Sequence, residues 1–546
     1  MPATTGDQPA KPAHWEECVS DPASAKPGEN DNAAVYFVDR NAKSGHALKT
    51  AFIEGERRLT YHELGEQTAR MAGLLQRHGL HPEDRIAMVV LDVLEFPIIF
   101  WGALKAGVIP VPLNTLLSAD LYQAILVDSR AKALFVSKPL LETLLPAIKA
   151  SPWVRTIFVI DEAAPPPGML HFQPELTASE SVATLPREAD ECAFWLYSSG
   201  STGRPKGVRH VHASLRATAD TYGAQVLGIG ADDLIYSAAK LFFAYGLGNG
   251  MTFPMSVGAT TLLSPSRPTP DSVLENLAQH RPTLFGGVPT LYAALLAKMG
   301  TSLPVGFERL RLSISAGEAL PAEVGERWAK LTGTHILDGV GSTEMLHIFL
   351  SNHPDNVVYG TSGMAVPGYK LRLVDEQGVE VGPDQTGELL VDGPSGATDY
   401  WNQREKSRST FEGNWTRTGD KYVRREDGRY IYCGRTDDMF KVSGIWVAPF
   451  EVEQALISHP DVLEAAVIAA KDENGLEKPF AFVVPKTAVD RKALASELRE
   501  HVKSRVGKWK YPRWIEIVDE LPKTATGKIQ RFKLRAGVAV QKETME

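Results

Sequence analysis

Short apolar runs that alternate with helix-like segments are the feature that most narrows the possible folds of this chain. Residues 60–63 (Thr-Tyr-His-Glu) form a capping-box pattern, and apolar residues recur behind it at helical spacing. Residues 85–91 then predict a buried strand, and residues 96–106 predict another helix. Further apolar runs of this kind occupy residues 133–136, 156–160, 260–263, 283–285 and 310–316. Because such alternation is typical of parallel sheets covered by helices, the predicted fold class is α/β.

The pattern changes near residue 370, which indicates a different architecture in the last third of the chain. Short strand patterns at 370–374 and 387–391, separated by turn sequences, predict an antiparallel, barrel-like segment. A helix is predicted to begin at Pro449 and a strand to follow at 465–469, within a small α+β unit. We therefore predict a large N-terminal domain, residues 33–436, and a small mobile C-terminal domain, residues 437–546. Residues 1–32 contain few large apolar groups and are expected to lack fixed structure.

The composition argues against several classes of protein. The 546 residues carry a formal net charge of −8, which disfavours nucleic acid or an anionic membrane as a partner. The longest apolar stretches are broken by Asp92, Glu95 and Pro97 and are too short to span a bilayer, and no secretory signal is visible. Three widely separated cysteines show no metal or redox spacing. We therefore expect a soluble cytoplasmic protein.

A Gly-rich loop with several hydroxyls follows the apolar run at residues 193–197. Residues 198–207 read Ser-Ser-Gly-Ser-Thr-Gly-Arg-Pro-Lys-Gly, so the glycines allow close backbone approach while the hydroxyls and Lys206 offer donors to anionic oxygens. The G-x-x-x-x-G-K-[ST] spacing of a Walker A loop is absent, and Pro205 occupies the position where its helix would begin. The loop therefore predicts a triphosphate cradle that uses ATP as a source of AMP, against the alternative of a polar surface loop.

Four further segments contain side chains suited to the same chemistry. Residues 338–344 (Asp-Gly-Val-Gly-Ser-Thr-Glu) are interpreted as a Gly-rich turn ending in a hydroxyl and a carboxylate, which suits Mg²⁺ beside a triphosphate. Residues 418–420 place a carboxylate on a turn, residues 434–441 combine an arginine with two acids, and residues 521–528 end in a lysine. Taken alone, each has a plain alternative: a helix cap, a turn or a solvated lysine.

Together and in this order, the five segments resemble the adenylate-forming superfamily of acyl-CoA synthetases, adenylation domains and luciferases. Three segments, residues 240–249, 315–320 and 341–347, are most similar to aryl-CoA ligases, and to the benzoate-CoA ligases in particular. The resemblance implies a large domain of layered sheets with a small mobile domain. It also implies a reaction with ATP, Mg²⁺ and coenzyme A, in which benzoate forms an acyl-adenylate and the CoA thiol then displaces AMP.

The resemblance assigns roles to individual positions of this chain. The phosphate-binding positions are Ser198, Ser199, Gly200, Ser201, Thr202, Gly203 and Lys206. Gly317 and Glu318 lie along the adenine, Asp420 and Arg435 hold the ribose, and Asp338 is a further nucleotide-binding position. The catalytic positions are Thr343, Glu344 as the Mg²⁺ ligand, and Lys528 between the carboxylate and the α-phosphate. The acyl pocket is lined by Ala244, Tyr245, Gly341, His347 and Ile348, the hinge is Asp437, and the CoA tunnel passes Gly444.

The sequence leaves several alternatives open. The acid could be a hydroxy-, amino- or fluorobenzoate, another aryl acid or a medium-chain acid, because one or two ring atoms change binding by only ~1–3 kcal/mol. An amino-acid adenylation domain is disfavoured, because residues 241–250 contain no acid to pair with a substrate ammonium group. A luciferase-like oxygenase and a catalytically silent binding protein are disfavoured as well. His347 is equally compatible with a structural role, and both a monomer and a homodimer are compatible with the sequence.

Overall fold

A computed structural model describes nine stretches of the chain, residues 30–160, 165–199, 205–436, 438–442, 445–473, 476–487, 490–507, 510–523 and 529–543. Within these stretches, no helix combines the length and the apolar character that crossing a membrane requires. The prediction for residues 1–32 lies outside them except for the last three residues.

The largest element is a nine-stranded sheet whose six central strands are parallel. In spatial order its strands are Met364–Ala365, Ile348–Ser351, Ile336–Gly341, Leu312–Ala316, Leu284–Gly287, Leu234–Ser237, Thr260–Leu263, Thr50–Glu54 and Arg57–Thr60. Antiparallel strands lie at both edges. The central strands are largely buried on both faces, which explains why their sequences are apolar runs rather than alternating patterns.

A second, five-stranded sheet is parallel throughout. Its strands, in spatial order, are Ile109–Pro112, Arg85–Val89, Ala133–Ser137, Thr156–Ile160 and Leu170–His171. The predicted strands at 85–91, 133–136 and 156–160 are therefore confirmed, and the two parallel sheets confirm the α/β class.

Helices cover the parallel sheets, and the first long one begins at the predicted capping box. The Thr60 hydroxyl accepts the Glu63 amide while the Glu63 carboxylate accepts the Thr60 amide. The α-helices are Arg40–Lys43, Tyr61–Arg77, Glu95–Lys105, Ala119–Ser129, Leu141–Ala150, Phe172–Thr177, His212–Thr218, Ala244–Leu247, Phe253–Val257, Pro270–His280, Pro289–Met299, Ala322–Thr332, Arg404–Thr410, Pro449–Ile457, Arg491–Val506 and Arg531–Glu543. Three π-helical segments, which the sequence does not predict, are Val35–Asp39, Ala219–Val226 and Gly248–Thr252.

Antiparallel sheets follow in the second half of the chain. The predicted barrel-like segment is a five-stranded sheet that contains Lys370–Val374, Thr386–Asp392, Phe411–Glu412, Trp415–Arg424 and Tyr430–Arg435. A separate three-stranded sheet consists of Cys192–Ser199, Pro205–Val211 and Asp399–Tyr400. This small sheet joins segments that are far apart in sequence, and the candidate site lies on it.

The last hundred residues have their own sheets and their own buried clusters. Phe440–Val442 pairs with Ile445–Val447, and a three-stranded sheet contains Val462–Lys471, Glu477–Pro485 and Trp514–Ile517. The buried residues of two apolar clusters all lie within residues 440–538, whereas those of the remaining clusters lie within residues 33–430. The predicted boundary residue, Asp437, lies outside the described residues, so the boundary stays a prediction.

We expect Gly73→Ala to destabilise the protein although the position is helical. In an exposed helix this change adds ~1 kcal/mol of helix stability, but a Cβ at Gly73 would lie 2.0 Å from the backbone oxygen of Glu180. Overpacking of this kind costs ~1–3 kcal/mol, which urea unfolding would detect. The matched control is Gly537→Ala in the helix Arg531–Glu543, where a Cβ has no atom within 4 Å. An equal change in the free energy of unfolding in the two variants, relative to the wild type, would contradict the close packing at Gly73.

Candidate active site

The predicted phosphate loop connects two strands that pair as a β-hairpin. The strands Cys192–Ser199 and Pro205–Val211 are antiparallel, and Ser198 lies opposite Lys206. Because a strand rather than a helix begins at Pro205, the loop is not a Walker A loop, as predicted. The other loop residues singled out from the sequence, Gly200, Ser201, Thr202 and Gly203, and the side chain of Ser199, lie outside the described part of the chain.

A tight turn after the strand Ile336–Gly341 carries three of the predicted residues. The carbonyl of Thr343 accepts a hydrogen bond from the amide of Leu346 at 3.1 Å, and Leu346 adopts a left-handed φ of 63°. Glu344 and His347 lie on either side of Leu346 within this turn. The turn therefore places a carboxylate and a wall residue of the predicted acyl pocket only three residues apart.

A buried histidine joins the hairpin to this turn. Nε2 of His210 lies 2.8 Å from the carbonyl oxygen of Thr343, and its ring stacks on Phe194 with centroids 5.2 Å apart. Burial lowers the pKa of His210 to about 4, so the ring is neutral at pH 7, and its Nε2–H donates to the carbonyl. No motif in the sequence singles out His210.

Tyr400 brings Lys206 and Glu344 together. Its hydroxyl donates a 2.8 Å hydrogen bond to Oε1 of Glu344, and the Lys206 ammonium lies 5.0 Å from the centre of its ring. Burial, and then the charge of Glu344, raises the pKa of Tyr400, so the hydroxyl remains protonated and acts as a donor. No sequence pattern singles out Tyr400, because a tyrosine in a polar stretch gives no signal of its own.

Glu344 is suited to Mg²⁺. Its side chain is half-buried, and one of its carboxylate oxygens accepts the hydrogen bond from Tyr400. Mg²⁺ is commonly held by one or two carboxylates together with phosphate oxygens and water. In the part of the chain that is described, no group of three or more His, Cys, Asp or Glu side chains could hold a metal alone. The residues therefore fit a metal that is shared with a triphosphate.

The predicted ribose residues, Asp420 and Arg435, form an ion pair on neighbouring strands. Nη1 of Arg435 lies 3.0 Å from Oδ1 of Asp420. The strand Trp415–Arg424 requires a glycine just before Asp420, since Gly419 has a φ of 71° and a Cβ there would lie 2.9 Å from Nη2 of Arg435.

Asp338 differs from its predicted setting. It lies within the strand Ile336–Gly341 rather than on a Gly-rich turn, and its side chain is buried. Burial raises its pKa well above the usual carboxyl value, and Oδ1 has no hydrogen-bond partner among the described residues. Gly317, with a φ of 96°, and the half-buried Glu318 follow the neighbouring strand Leu312–Ala316. The nucleotide-binding roles of these three residues stay predictions.

The predicted acyl pocket is built around His347, whose ring is surrounded by other rings. The centroids of Phe253, Tyr222 and Tyr245 lie 4.5, 5.4 and 5.9 Å from that of His347. Nε2 of His347 lies 3.3 Å from the carbonyl oxygen of Tyr245, and Nδ1 has no partner among the described residues. Burial lowers the pKa of His347 to about 3, so the ring is neutral. Flat, largely apolar walls of this kind suit an aromatic ring.

Two further features involve residues of the predicted pocket. Ala244 and Tyr245 begin a short helix, and the Tyr245 hydroxyl donates to the carbonyl of Ile314 at 2.9 Å. Ile348 is buried opposite Gly341, which is itself exposed. The structure thus brings Tyr245 into contact with His347, and it brings Ile348 and Gly341 next to the turn that carries Glu344.

Three predicted residues, Lys528, Asp437 and Gly444, lie outside the described residues. The described residues that flank Lys528 form an antiparallel bridge between Lys523 and Ile529. The catalytic, hinge and tunnel roles of the three residues stay predictions.

Two family models match this chain. Residues 38–401 match the model described as AMP-binding enzyme, and residues 451–528 match the AMP-binding enzyme C-terminal domain. The second match falls within the part of the chain that has its own buried clusters.

Named relatives and a solved structure match nearly the whole chain. A 4-hydroxybenzoate–CoA/benzoate–CoA ligase of Rhodopseudomonas palustris is 54% identical, with 92% of this chain and 94% of the relative covered. A benzoate–CoA ligase of Thauera aromatica is 50% identical, with 94% and 98% covered. The crystal structure of a benzoate CoA ligase from Burkholderia xenovorans is 48% identical and superposes with a TM-score of 0.86, with 92% and 99% covered.

We expect His210 to contribute to acid sensitivity. Its pKa falls from 6.5 to about 4 on burial, so protonation favours the unfolded chain, and stability is lost as the pH falls from 6.5 towards 4. The loss attributable to His210 has an upper bound of ~3 kcal/mol. His210→Gln, measured by urea unfolding at pH 7 and pH 5, should lose less stability on acidification than the wild type. The exposed residue His62 provides the control, since His62→Gln should lose as much stability between pH 7 and pH 5 as the wild type does. A steeper loss in His210→Gln would contradict a neutral His210.

Proposed function

The chain belongs to the AMP-binding enzyme family, and from that membership we propose that it is an AMP-forming ligase that joins benzoate to coenzyme A. ATP, coenzyme A and a benzoate-type acid are its substrates. Mg²⁺ held by Glu344 is part of the proposal.

One observation carries this proposal: a single turn bears both the carboxylate of Glu344 and the aromatic-lined wall residue His347. An aromatic acid in the pocket would present its carboxylate to phosphates held near Lys206, Tyr400 and Glu344. This is the place where two anions must meet for adenylation to occur.

In the first step, a carboxylate oxygen of the acid forms a bond to the α-phosphorus of ATP, and the bond to the bridging oxygen of pyrophosphate breaks. The acid is already ionised at neutral pH, so no base is needed. The difficulty is the negative charge on the reacting groups, which Lys206, Mg²⁺ when bound and Lys528 would offset. Lysine suits this task because it is a compact charge with rotatable donors.

In the second step, the CoA sulfur forms a bond to the acyl carbon, AMP leaves with the electron pair of the mixed anhydride, and the thiol proton is released. The products are benzoyl-CoA and AMP. We propose that the C-terminal domain turns about Asp437 between the steps, so that Lys528 leaves and the CoA tunnel past Gly444 opens.

A hydroxybenzoate is the second candidate substrate, and one observation favours it. Nδ1 of His347 is a buried acceptor with no partner among the described residues, and a ring hydroxyl could donate to it. The printed name of the relative from R. palustris includes 4-hydroxybenzoate.

The substrate class is tested by a panel of acids assayed for CoA-dependent AMP formation. We expect benzoate to exceed octanoate and phenylalanine in kcat/KM by at least about 100-fold, and 4-hydroxybenzoate to fall within about 200-fold of benzoate. The aromatic walls around His347 are the reason for the first expectation. A panel in which octanoate or phenylalanine outperformed benzoate would overturn the proposed substrate class.

The role of Lys528 is tested by separating the two steps. Lys528→Ala should slow formation of benzoyl-AMP, followed as pyrophosphate release, by about 100- to 1,000-fold. Conversion of supplied benzoyl-AMP with CoA should change by less than about twofold, since that step does not need the lysine. Lys523→Ala is the matched control, because Lys523 instead pairs with Glu464 at 2.5 Å. An equal loss in both steps would argue against a lysine that serves adenylation alone.

A further inference from the structure

Tyr400 occupies a position that none of the sequence motifs marks. It belongs to the short strand Asp399–Tyr400, which pairs with Pro205–Val211, the strand that carries Lys206. Tyr400 lies opposite Val208, and Arg209 holds the neighbouring Asp399 through two hydrogen bonds of 2.5 and 2.6 Å. The strand is thus fixed to the phosphate hairpin on one side.

The other side of the same segment is fixed to the turn that carries Glu344. The amide of Ala397 donates to the backbone carbonyl of Glu344 at 2.7 Å, and the Tyr400 hydroxyl donates to the Glu344 side chain at 2.8 Å. One residue therefore receives both a main-chain and a side-chain contact from residues 397–400. A carboxylate with this second support has fewer rotamers open to it than one held by its backbone alone.

The ring of Tyr400 is itself held in place. It is 4% exposed, it packs against Phe411 with centroids 5.2 Å apart, and its amide donates to Oγ of Ser407 at 3.0 Å. The hydroxyl is thereby aimed at Glu344 by packing, and the ring face is presented to the Lys206 ammonium. Such support is what a carboxylate needs if it is to meet a metal in one geometry.

We propose that Tyr400 is a positioning residue for adenylation, whose hydroxyl orients the Glu344 carboxylate towards the metal–triphosphate and whose ring sets its distance from Lys206. This inference rests on the proposed function, in that Glu344 is taken to serve Mg·ATP. It adds that the phosphate lysine and the metal carboxylate are aligned by one shared side chain.

The test compares Tyr400→Phe with the wild type by two measurements on the full chain. The first is the dissociation constant of Mn²⁺, a spectroscopic substitute for Mg²⁺, from the complex with ATP, followed by electron paramagnetic resonance without any acid present. The second is the rate of pyrophosphate release with benzoate. We expect Mn²⁺ to bind about tenfold more weakly and pyrophosphate release to slow by a similar factor, the scale of a lost hydrogen bond to a charged group.

A matched control removes a buried tyrosine hydroxyl elsewhere. Tyr61 is fully buried, and its hydroxyl donates to the carbonyl of Ala259 at 2.6 Å, in another part of the large domain. Tyr61→Phe should leave the Mn²⁺ affinity unchanged within about twofold. A loss in Tyr61→Phe equal to that in Tyr400→Phe would assign the effect to general destabilisation and overturn the proposal.

A double-mutant cycle tests whether Tyr400 acts through Glu344. In a Glu344→Gln background, adding Tyr400→Phe should change the Mn²⁺ affinity by less than about twofold, since the carboxylate to be oriented is gone. Multiplicative losses would overturn the proposal, as would an unchanged Mn²⁺ affinity in Tyr400→Phe alone. The Mn²⁺ measurement needs no acid substrate, so failure of benzoate to react would count against the proposed function and not against this role of Tyr400.

Discussion

The candidate site depends on one constraint: residues 397–401 must hydrogen-bond to two segments that are far apart in sequence. On one side, the amide of Trp401 donates to the carbonyl of Gly207 at 2.8 Å, next to the phosphate lysine. On the other side, the amide of Ala397 donates to the carbonyl of Glu344 at 2.7 Å. His210 adds a third connection, through Thr343. Breaking these bonds would leave buried backbone groups unpaired, which costs free energy. The bonds therefore hold the hairpin and the turn in a fixed relation.

Burial separates the neutral groups of the site from its charged ones. His210 and His347 are buried, and desolvation keeps both rings uncharged at neutral pH. Lys206 and Glu344 are only half-buried, and Arg435 is exposed, so a ligand can reach these side chains. A chain with a net charge of −8 can therefore meet an anionic nucleotide through a few local groups. Because the two histidine rings are neutral, an aromatic acid would bring the negative charge of its own carboxylate into the proposed pocket.

Local patterns in the sequence predict much of the fold, because their physical causes are local. The capping box at Thr60 and the start of a helix at Pro449 depend on residues within one turn, and both are confirmed. Tyr400 could not be predicted in this way, since its partner Glu344 is 56 residues away and nothing near Tyr400 hints at it. The glycines that follow Asp338 predict a turn, but pairing with neighbouring strands keeps residues 336–341 extended. The roles of Lys528, Asp437 and Gly444 rest on resemblance alone.

On the proposed roles of His347 and Glu344, the choice of acid and the chemistry of ATP are coupled through the turn at 343–347. A Cβ at Gly248, in the π-helical segment Gly248–Thr252, would lie 2.3 Å from the His347 ring, so a larger residue there must displace His347. His347 is three residues from Glu344, and Leu346 between them is held at a positive φ. Such a turn has few alternative conformations, so we expect a backbone shift at His347 to move Glu344 as well. We therefore expect changes that enlarge the proposed pocket by removing atoms from His347 to leave the turn intact, and changes that push against His347 to act on the proposed metal site as well.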